Sequence, residues 1–365
     1  MCRGLVREGH EVHVCTTNVD GDKDSDVPLC QAVDVDGVKV HYFSSHFLRR
    51  LYFSIQMVIF LKQVIRDYDV VHLHSIFLWP TLLGARLAEK YEIPYVVSPR
   101  GMLVKALFEK KSKFIKSAWV RMFEKHSLEN ASSIHLTSEV ERKEIEKFCF
   151  NLPMLKIIPN GIELLDASAS SPSEELEKVV RGIENKAIIL YLGRISWEKG
   201  IDRLIRSLEY CQQGHLVIAG NDEEEIMPSL KKIATDSNVV SRMTFVGGVN
   251  DAEKNYLIDK AKVLVLPSHS ENFGIVVLEA MARKCPVVVT EEVGLADIVY
   301  KEDCGMVTTG DARKMGAAIA EILNDPEKAR IMGINGLEAV KNNFTWSSIV
   351  QKMLSLYQDI LRERG

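Results

Sequence analysis

Short apolar, β-branched runs alternate with helical stretches along almost the whole chain, the pattern of an α/β protein with parallel sheets. In the first half the expected strands are 11–16, 38–43, 70–74, 95–98, 133–137 and 156–159. In the second half they are 187–193, 215–219, 243–246, 263–267 and 286–290. Several, such as AIILYLG, VLVLP and PVVVT, are apolar on both faces, as strands are when helices cover a parallel sheet from both sides. Helical spacing of apolar residues appears between them, for instance over 139–148, 201–210 and 326–343.

A polar, Ser-rich break, DASASSPSEELEKVVRGIEN, covers residues 166–185. Comparable strand–helix series stand on either side. The pattern therefore predicts two doubly wound, Rossmann-like domains, 1–165 and 186–344, with 166–185 as linker and a cleft between them. Residues 345–365 read as an amphipathic helix built on Ile349, Met353, Leu354, Tyr357 and Leu361, expected to cross back to the first domain. At the start, LVREGHEVHVC reads as a helix end at Gly9 followed by a strand. A doubly wound domain has a strand and a tight loop before such a helix, so the first strand is expected to be missing from this sequence. In the order 3-2-1-4-5-6 that strand is central.

With 365 residues, 46% of them apolar and 26% charged, the chain has room for two cores and is neither disordered, collagenous nor a coiled coil. A net charge of −4 gives no electrostatic case for nucleic acid. Residues 1–165 carry 22 basic and 20 acidic side chains, the remainder 24 and 30, which suggests different tasks for the two halves. Seven dispersed cysteines without a C-x-x-C pair fit free, buried thiols in a reducing compartment. No secretory leader is recognisable, and the longest uncharged-looking apolar run, 51–65, is interrupted by Lys62. A cytoplasmic protein is expected.

Candidate chemistry is densest in PSHSENFGIVVLEAMARKCPVVVT, residues 267–290. A buried strand ends, a polar turn follows, and a helix begins near Phe273 or Gly274, offering unpaired N–H groups and a positive dipole end to a phosphate or to hydroxyls. Glu271 precedes the helix and Glu279 lies on its second turn, so each could hold hydroxyls of one extended ligand; the plainer reading is a capping acid and a solvated one. In YLGRISWEKGIDRLI, residues 191–205, Arg194 and Lys199 sit on the loop after a strand, outside the carboxyl end where open α/β sheets bind ligands. Two cations there could neutralise a departing diphosphate, or simply be a solvated pair.

Taken together these segments resemble the retaining glycosyltransferases of family 4, the group 1 transferases of GT-B fold. The resemblance rests on G-R-x-x-x-x-K-G (Gly193, Arg194, Lys199, Gly200), on the loop Ser270, Glu271, Phe273, Gly274, and on the E-x7-E pair Glu271 and Glu279. In the first half REGHEVHVCTT, DVVHLHS, PYVVSPRG and IIPNGIE agree with it. It implies that Arg194 and Lys199 hold the diphosphate of a nucleotide-sugar, that Glu271 contacts the donor sugar and that Glu279 takes the ribose hydroxyls. The backbone of Asn272, Phe273, Gly274 and Ile275 would meet phosphates and sugar, while Gly220 and the turn containing Gly247 and Val249 would line the base pocket. The resemblance further implies retention of configuration, a glycan or lipid-linked acceptor on the first domain, and no metal or other cofactor. Other readings within reach are another GT-B enzyme such as an epimerase, or a degenerate nucleotide-sugar-binding protein without turnover.

The sequence departs from the family pattern in its missing first strand and glycine-rich loop. It also carries Arg100 where many relatives have a histidine reaching the donor sugar; Arg100 is thus a site candidate or a surface arginine. Three other features invite a metal. DGDKDSD, 20–26, imitates a calcium loop but lacks its turn glycine and closing glutamate. Asp67 and Asp69 precede their strand, and His72 with His74 lack an evident third ligand. A solvated acidic loop and core or cleft-facing histidines are expected instead. Finally, residues 105–125 carry seven basic and two acidic side chains among Leu107, Phe108, Phe114, Ile115, Trp119 and Phe123. Such a stretch is either a solvated helix face or a peripheral contact with the inner face of a membrane.

Overall fold

The computed structural model describes residues 1–104, 119–164 and 172–363. They form two compact units, Asn160–Thr345 and a second body made of Met1–Pro159 with Trp346–Gly365.

The unit Asn160–Thr345 is built on one six-stranded sheet in the order Met243–Gly247, His215–Ala219, Ile188–Leu192, Ala261–Leu266, Val287–Thr290, Gly305–Thr308. All its pairs are parallel. Counted in chain order this is 3-2-1-4-5-6, the doubly wound arrangement. Every residue of Ile188–Leu192 and His215–Ala219 is buried, as expected where helices flank both faces. The edge strand Gly305–Thr308 was not anticipated; GMVT is short and sits behind the glycine that lets it approach Val287, leaving little apolar signal.

Among its described residues the other unit holds two larger sheets and a two-stranded hairpin. Tyr95–Ser98 lies between Val71–His74 and Ser133–Leu136, with Leu155–Ile157 beyond, all parallel. Separately, His13–Thr17 pairs in parallel with Val38–Phe43, which also forms an antiparallel hairpin with Ala32–Val35. That hairpin turns at Asp36 and Gly37, both with positive φ, the turn an Asp-Gly dipeptide favours. Among the described residues, His13–Thr17 and Val71–His74 each have a strand neighbour on one side only.

Helix Trp346–Arg362 belongs to this unit, where Ile349, Met353, Leu356 and Ile360 pack with Val96 and Ile158. Gly4 lets helix Cys2–Arg7 come against it, since a Cβ there would run into Val350.

Two expectations need correction. Residues 166–185 are not a plain linker: Ser173 caps helix Glu174–Arg181, and Leu176 and Val180, one turn apart, join the core of the Asn160–Thr345 unit. The boundary therefore lies at Pro159, and residues 165–171 fall outside the described set. Nor are the thiols uniformly buried, because Cys30 and Cys149 are exposed. Burial pushes Cys15, Cys285 and Cys304 up to about 12. Of the basic stretch 105–125, residues 105–118 lie outside the described set; from Val120 to Glu129 the chain is helical. No described helix is long and apolar enough to cross a membrane.

Candidate active site

Three adjacent strands of the six-stranded sheet run out at a glycine: Gly193 and Gly220 directly follow Ile188–Leu192 and His215–Ala219, and Gly247 ends Met243–Gly247. The Gly193 amide donates to Ala219 O at 3.0 Å and the Gly220 amide to Gly247 O at 2.7 Å, so Gly193, Gly220 and Gly247 form a row along the carboxyl edge. A Cβ on Gly220 would collide with the carbonyl of Gly193, while one on Gly247 would meet open space. Both Gly220, at φ +156°, and Gly247, at φ +77°, hold backbone angles that L side chains rarely adopt. Val249 follows the row and packs against the core, and Gly248 lies tight against Asn221.

Arg194 stands on the loop leaving this row. Buried Tyr191 fixes that loop by donating its hydroxyl to Arg194 O at 2.8 Å, and burial holds the phenol protonated by raising its pKa. The Arg194 guanidinium is 2.9 Å from Glu223 Oε2. That hydrogen bond lifts the arginine above its ordinary value, against the effect of burial. Glu224 accepts from the Trp197 amide at 3.0 Å. The acidic run is rooted by Asp222, which caps helix Met227–Asp236 through the amides of Ile226 and Met227 at 3.0 and 2.9 Å.

Lys199 closes the turn Trp197–Lys199, and its ammonium pairs with Glu271; both side chains are mostly buried, at 15% and 17% exposed. What brings them together is Gly200, at φ +63°, whose lack of a Cβ lets the backbone lie against Pro267 O. His269 then donates its amide to Glu198 O at 2.7 Å, locking the two loops side by side. Glu271 is held from behind, its amide donating to Glu292 O at 3.1 Å and its carbonyl accepting from Gly294 at 2.9 Å. Gly294 itself is needed so that Asn272 O can pass.

Ser270 and Asn272 flank Glu271 on this loop, Phe273 is buried, and Gly274, at φ +88°, starts helix Ile275–Ala282. No side chain caps that start. Its first amides thus face the same edge as Arg194 and Lys199, and Ile275 is exposed beside them. Glu279, one turn on, pairs with Lys254 at 2.8 Å.

Arg100 lies in the other unit, in a left-handed turn with Gly101, and donates to His74 Nδ1 at 3.1 Å. His74 stacks on His72 at 4.3 Å. Tyr357 OH is 2.6 Å from His72 Nδ1, His72 Nε2 is 3.4 Å from His135 Nδ1, and His135 Nε2 is 2.8 Å from Ile158 O. These fit one directional chain of neutral groups, from the Tyr357 hydroxyl through both rings to the carbonyl. The D-G-D-K-D-S-D segment folds as a small hairpin, Val19–Asp20 with Lys23–Asp24, and Arg49 binds Asp24 and the carbonyls of Gly21 and Lys23.

Sequence reading missed Glu223, Glu224 and Lys254. The first two carried a signal, an acidic run two residues past a strand-end glycine; Lys254 carried none, being 25 residues from its partner Glu279.

Family models match both halves of the chain: Glycosyltransferase Family 4 over residues 1–164 and Glycosyl transferases group 1 over residues 173–339. An uncharacterized glycosyltransferase of Methanocaldococcus jannaschii is 29% identical over 388 residues, spanning 100% of this chain and 94% of that protein. Glycogen synthase of Mycobacterium tuberculosis is 27% identical over 302 residues, 79% of this chain and 68% of its own. Among solved structures, sucrose-phosphate synthase from Thermosynechococcus elongatus superposes with a TM-score of 0.77 at 24% identity, covering 99% of this chain and 92% of that one. Anabaena HepE, in complex with UDP and glucose, does so at 0.70 and 20%, covering 88% and 86%. At such identities the solved structures speak for the fold, two Rossmann-like domains of GT-B type. With matching models on both halves, the chain belongs to the family 4, group 1 glycosyltransferases and has the GT-B fold.

Proposed function

We propose that this glycosyltransferase takes its sugar from a nucleoside-diphosphate donor held on the Asn160–Thr345 unit and passes it to a glycan or lipid-linked acceptor, with retention of configuration and without a metal ion. The observation that carries the reading is the meeting of Arg194, Lys199, Glu271 and the uncapped helix start at Gly274 on one strand edge. Two cations and a helix dipole suit a diphosphate that gains charge as it leaves. In this scheme Arg194 exchanges Glu223 for phosphate, Lys199 bridges phosphate and Glu271, and Glu271 orients the donor sugar through its hydroxyls. Glu279 takes the ribose hydroxyls, and the glycine row with Val249 receives the base.

The complex of Anabaena HepE with UDP and glucose supports this choice of donor class. The first unit is assigned the acceptor, with Arg100 as a candidate contact, and the lysine-rich segment 105–125 is proposed to touch the inner face of a membrane. A thermal-shift screen over UDP-, ADP- and GDP-sugars, followed by donor hydrolysis and NMR of the anomeric product with the best binder, tests the scheme. Stabilisation by one nucleotide-sugar and a product with the donor's anomeric configuration are expected; no stabilisation, or inversion, would overturn it.

A further inference from the structure

The geometry points to Lys254 as a positioning residue for Glu279, one that sets how strongly the site distinguishes a ribose from a sugar lacking its hydroxyls. The inference rests on the proposed assignment of Glu279 to the ribose. Glu279 stands on helix Ile275–Ala282 with its side chain 24% exposed, and its carboxylate is met by a cation from outside that helix. To accept from two neighbouring hydroxyls at once, that carboxylate must keep one orientation. Lys254 supplies the constraint from another helix: its ammonium donates to Glu279 Oε1 at 2.8 Å and to Asp251 Oδ1 at 2.9 Å.

Lys254 is itself held. Helix Asp251–Lys260 opens with a capping box, in which Asn250 accepts from the Glu253 amide at 2.9 Å and Glu253 from the Asn250 amide at 3.1 Å. Ser173 donates to the same Glu253 at 2.6 Å. The lysine is therefore one turn into a helix whose start is pinned, directly after the turn that carries Gly247 and Val249. Burial opposes its charge, yet the two carboxylates outweigh burial and raise its pKa, so it stays an ammonium. With Oε1 engaged by the lysine, Oε2 is left to accept from a ligand.

The test uses uridine, adenosine and guanosine diphosphates to find the base that binds, then compares that nucleotide with its 2′,3′-dideoxy form by calorimetry on the full chain. Wild type should favour the ribose form at least tenfold, and Glu279→Ala should abolish the preference. Lys254→Met should cut the preference at least fivefold while leaving affinity for the dideoxy form within twofold, and Lys254→Arg should restore part of it. If Lys254→Met keeps the full preference, or weakens both ligands equally, the lysine is only a helix staple and the inference fails. If wild type shows no preference, or Glu279→Ala keeps it, the ribose assignment itself is wrong and the inference falls with it.

Discussion

The guanidinium of Arg194 sits 2.9 Å from the carboxylate of Glu223, so a cation assigned to a phosphate already holds an anion of the chain's own. The pair is open to solvent, at 59% and 48% exposed, and pairs of that kind contribute about 0–1 kcal/mol. A nucleoside diphosphate bound as proposed would have to displace it. Glu223→Gln should therefore tighten diphosphate binding by up to about fivefold at low salt, with the gain shrinking in 0.5 M NaCl. Unchanged or weaker binding by calorimetry would show that Glu223 does not compete with the ligand.

Loss of either cation should weaken the donor. Charge-assisted hydrogen bonds are worth ~1.5–3 kcal/mol, so Arg194→Ala and Lys199→Ala should each reduce nucleotide affinity roughly ten- to a hundredfold. Their effects on stability should differ. Arg194 is exposed and its removal should be nearly silent, whereas Lys199→Ala strands the largely buried Glu271 and should cost about 1–3 kcal/mol. Melting curves of the two unliganded variants separate them; equal melting temperatures would contradict the burial argument.

Turnover in excess EDTA should equal turnover with Mg²⁺ or Mn²⁺, because Arg194, Lys199 and the helix start at Gly274 are assigned the charge neutralisation at the diphosphate. Activity lost on chelation and restored by either ion would refute that assignment.

The histidine chain predicts acid sensitivity in the first unit. His135 is buried and neutral, and desolvation lowers it from 6.5 to about 4. The unfolded chain takes up a proton below about 6.5 while the fold resists it, so the stabilisation is complete above that pH and is lost as pH falls toward 4. The shift corresponds to roughly 3 kcal/mol or slightly more for this one ring. His72, pushed down by burial and by its histidine neighbours, adds in the same direction. Protonating His135 at Nδ1 also sets its N–H against the Nε2–H of His72. Thermal unfolding from pH 7.5 to 4.5 should show a falling midpoint that His135→Gln flattens; a midpoint independent of pH over that range would refute it.

The doubly wound sheet of Asn160–Thr345 was legible because its inner strands are short, mostly apolar runs buried on both faces, as AIILYLG is. Arg194, Lys199 and Glu271 could be singled out because each stands on a loop that follows a strand of that sheet, and Glu279 through its spacing from Glu271 on the helix that follows. What escaped was set by contacts across the chain. The hairpin strand Ala32–Val35 alternates apolar and charged residues over only four positions, although its Asp-Gly turn was a usable sign. Helix Glu174–Arg181 was hidden because six of its eight residues are not buried and only Leu176 and Val180 reach the core. The pairing of Lys254 with Glu279 depends on where two helices dock, which no local pattern encodes.

The glycine row at Gly193, Gly220 and Gly247 has a consequence for how such a site can change. A floor made of main chain looks the same whichever gene encodes its surroundings, and Gly220 cannot acquire a side chain without pushing Gly193 aside. Mutation therefore has almost nothing to work with in that floor, where the nucleotide is proposed to lie. Drift toward a new donor is channelled into the rim, into Asn221, Val249 and Lys254, where a single codon alters chemistry without disturbing the sheet. A library randomised at those three positions would explore donor preference while leaving the scaffold intact.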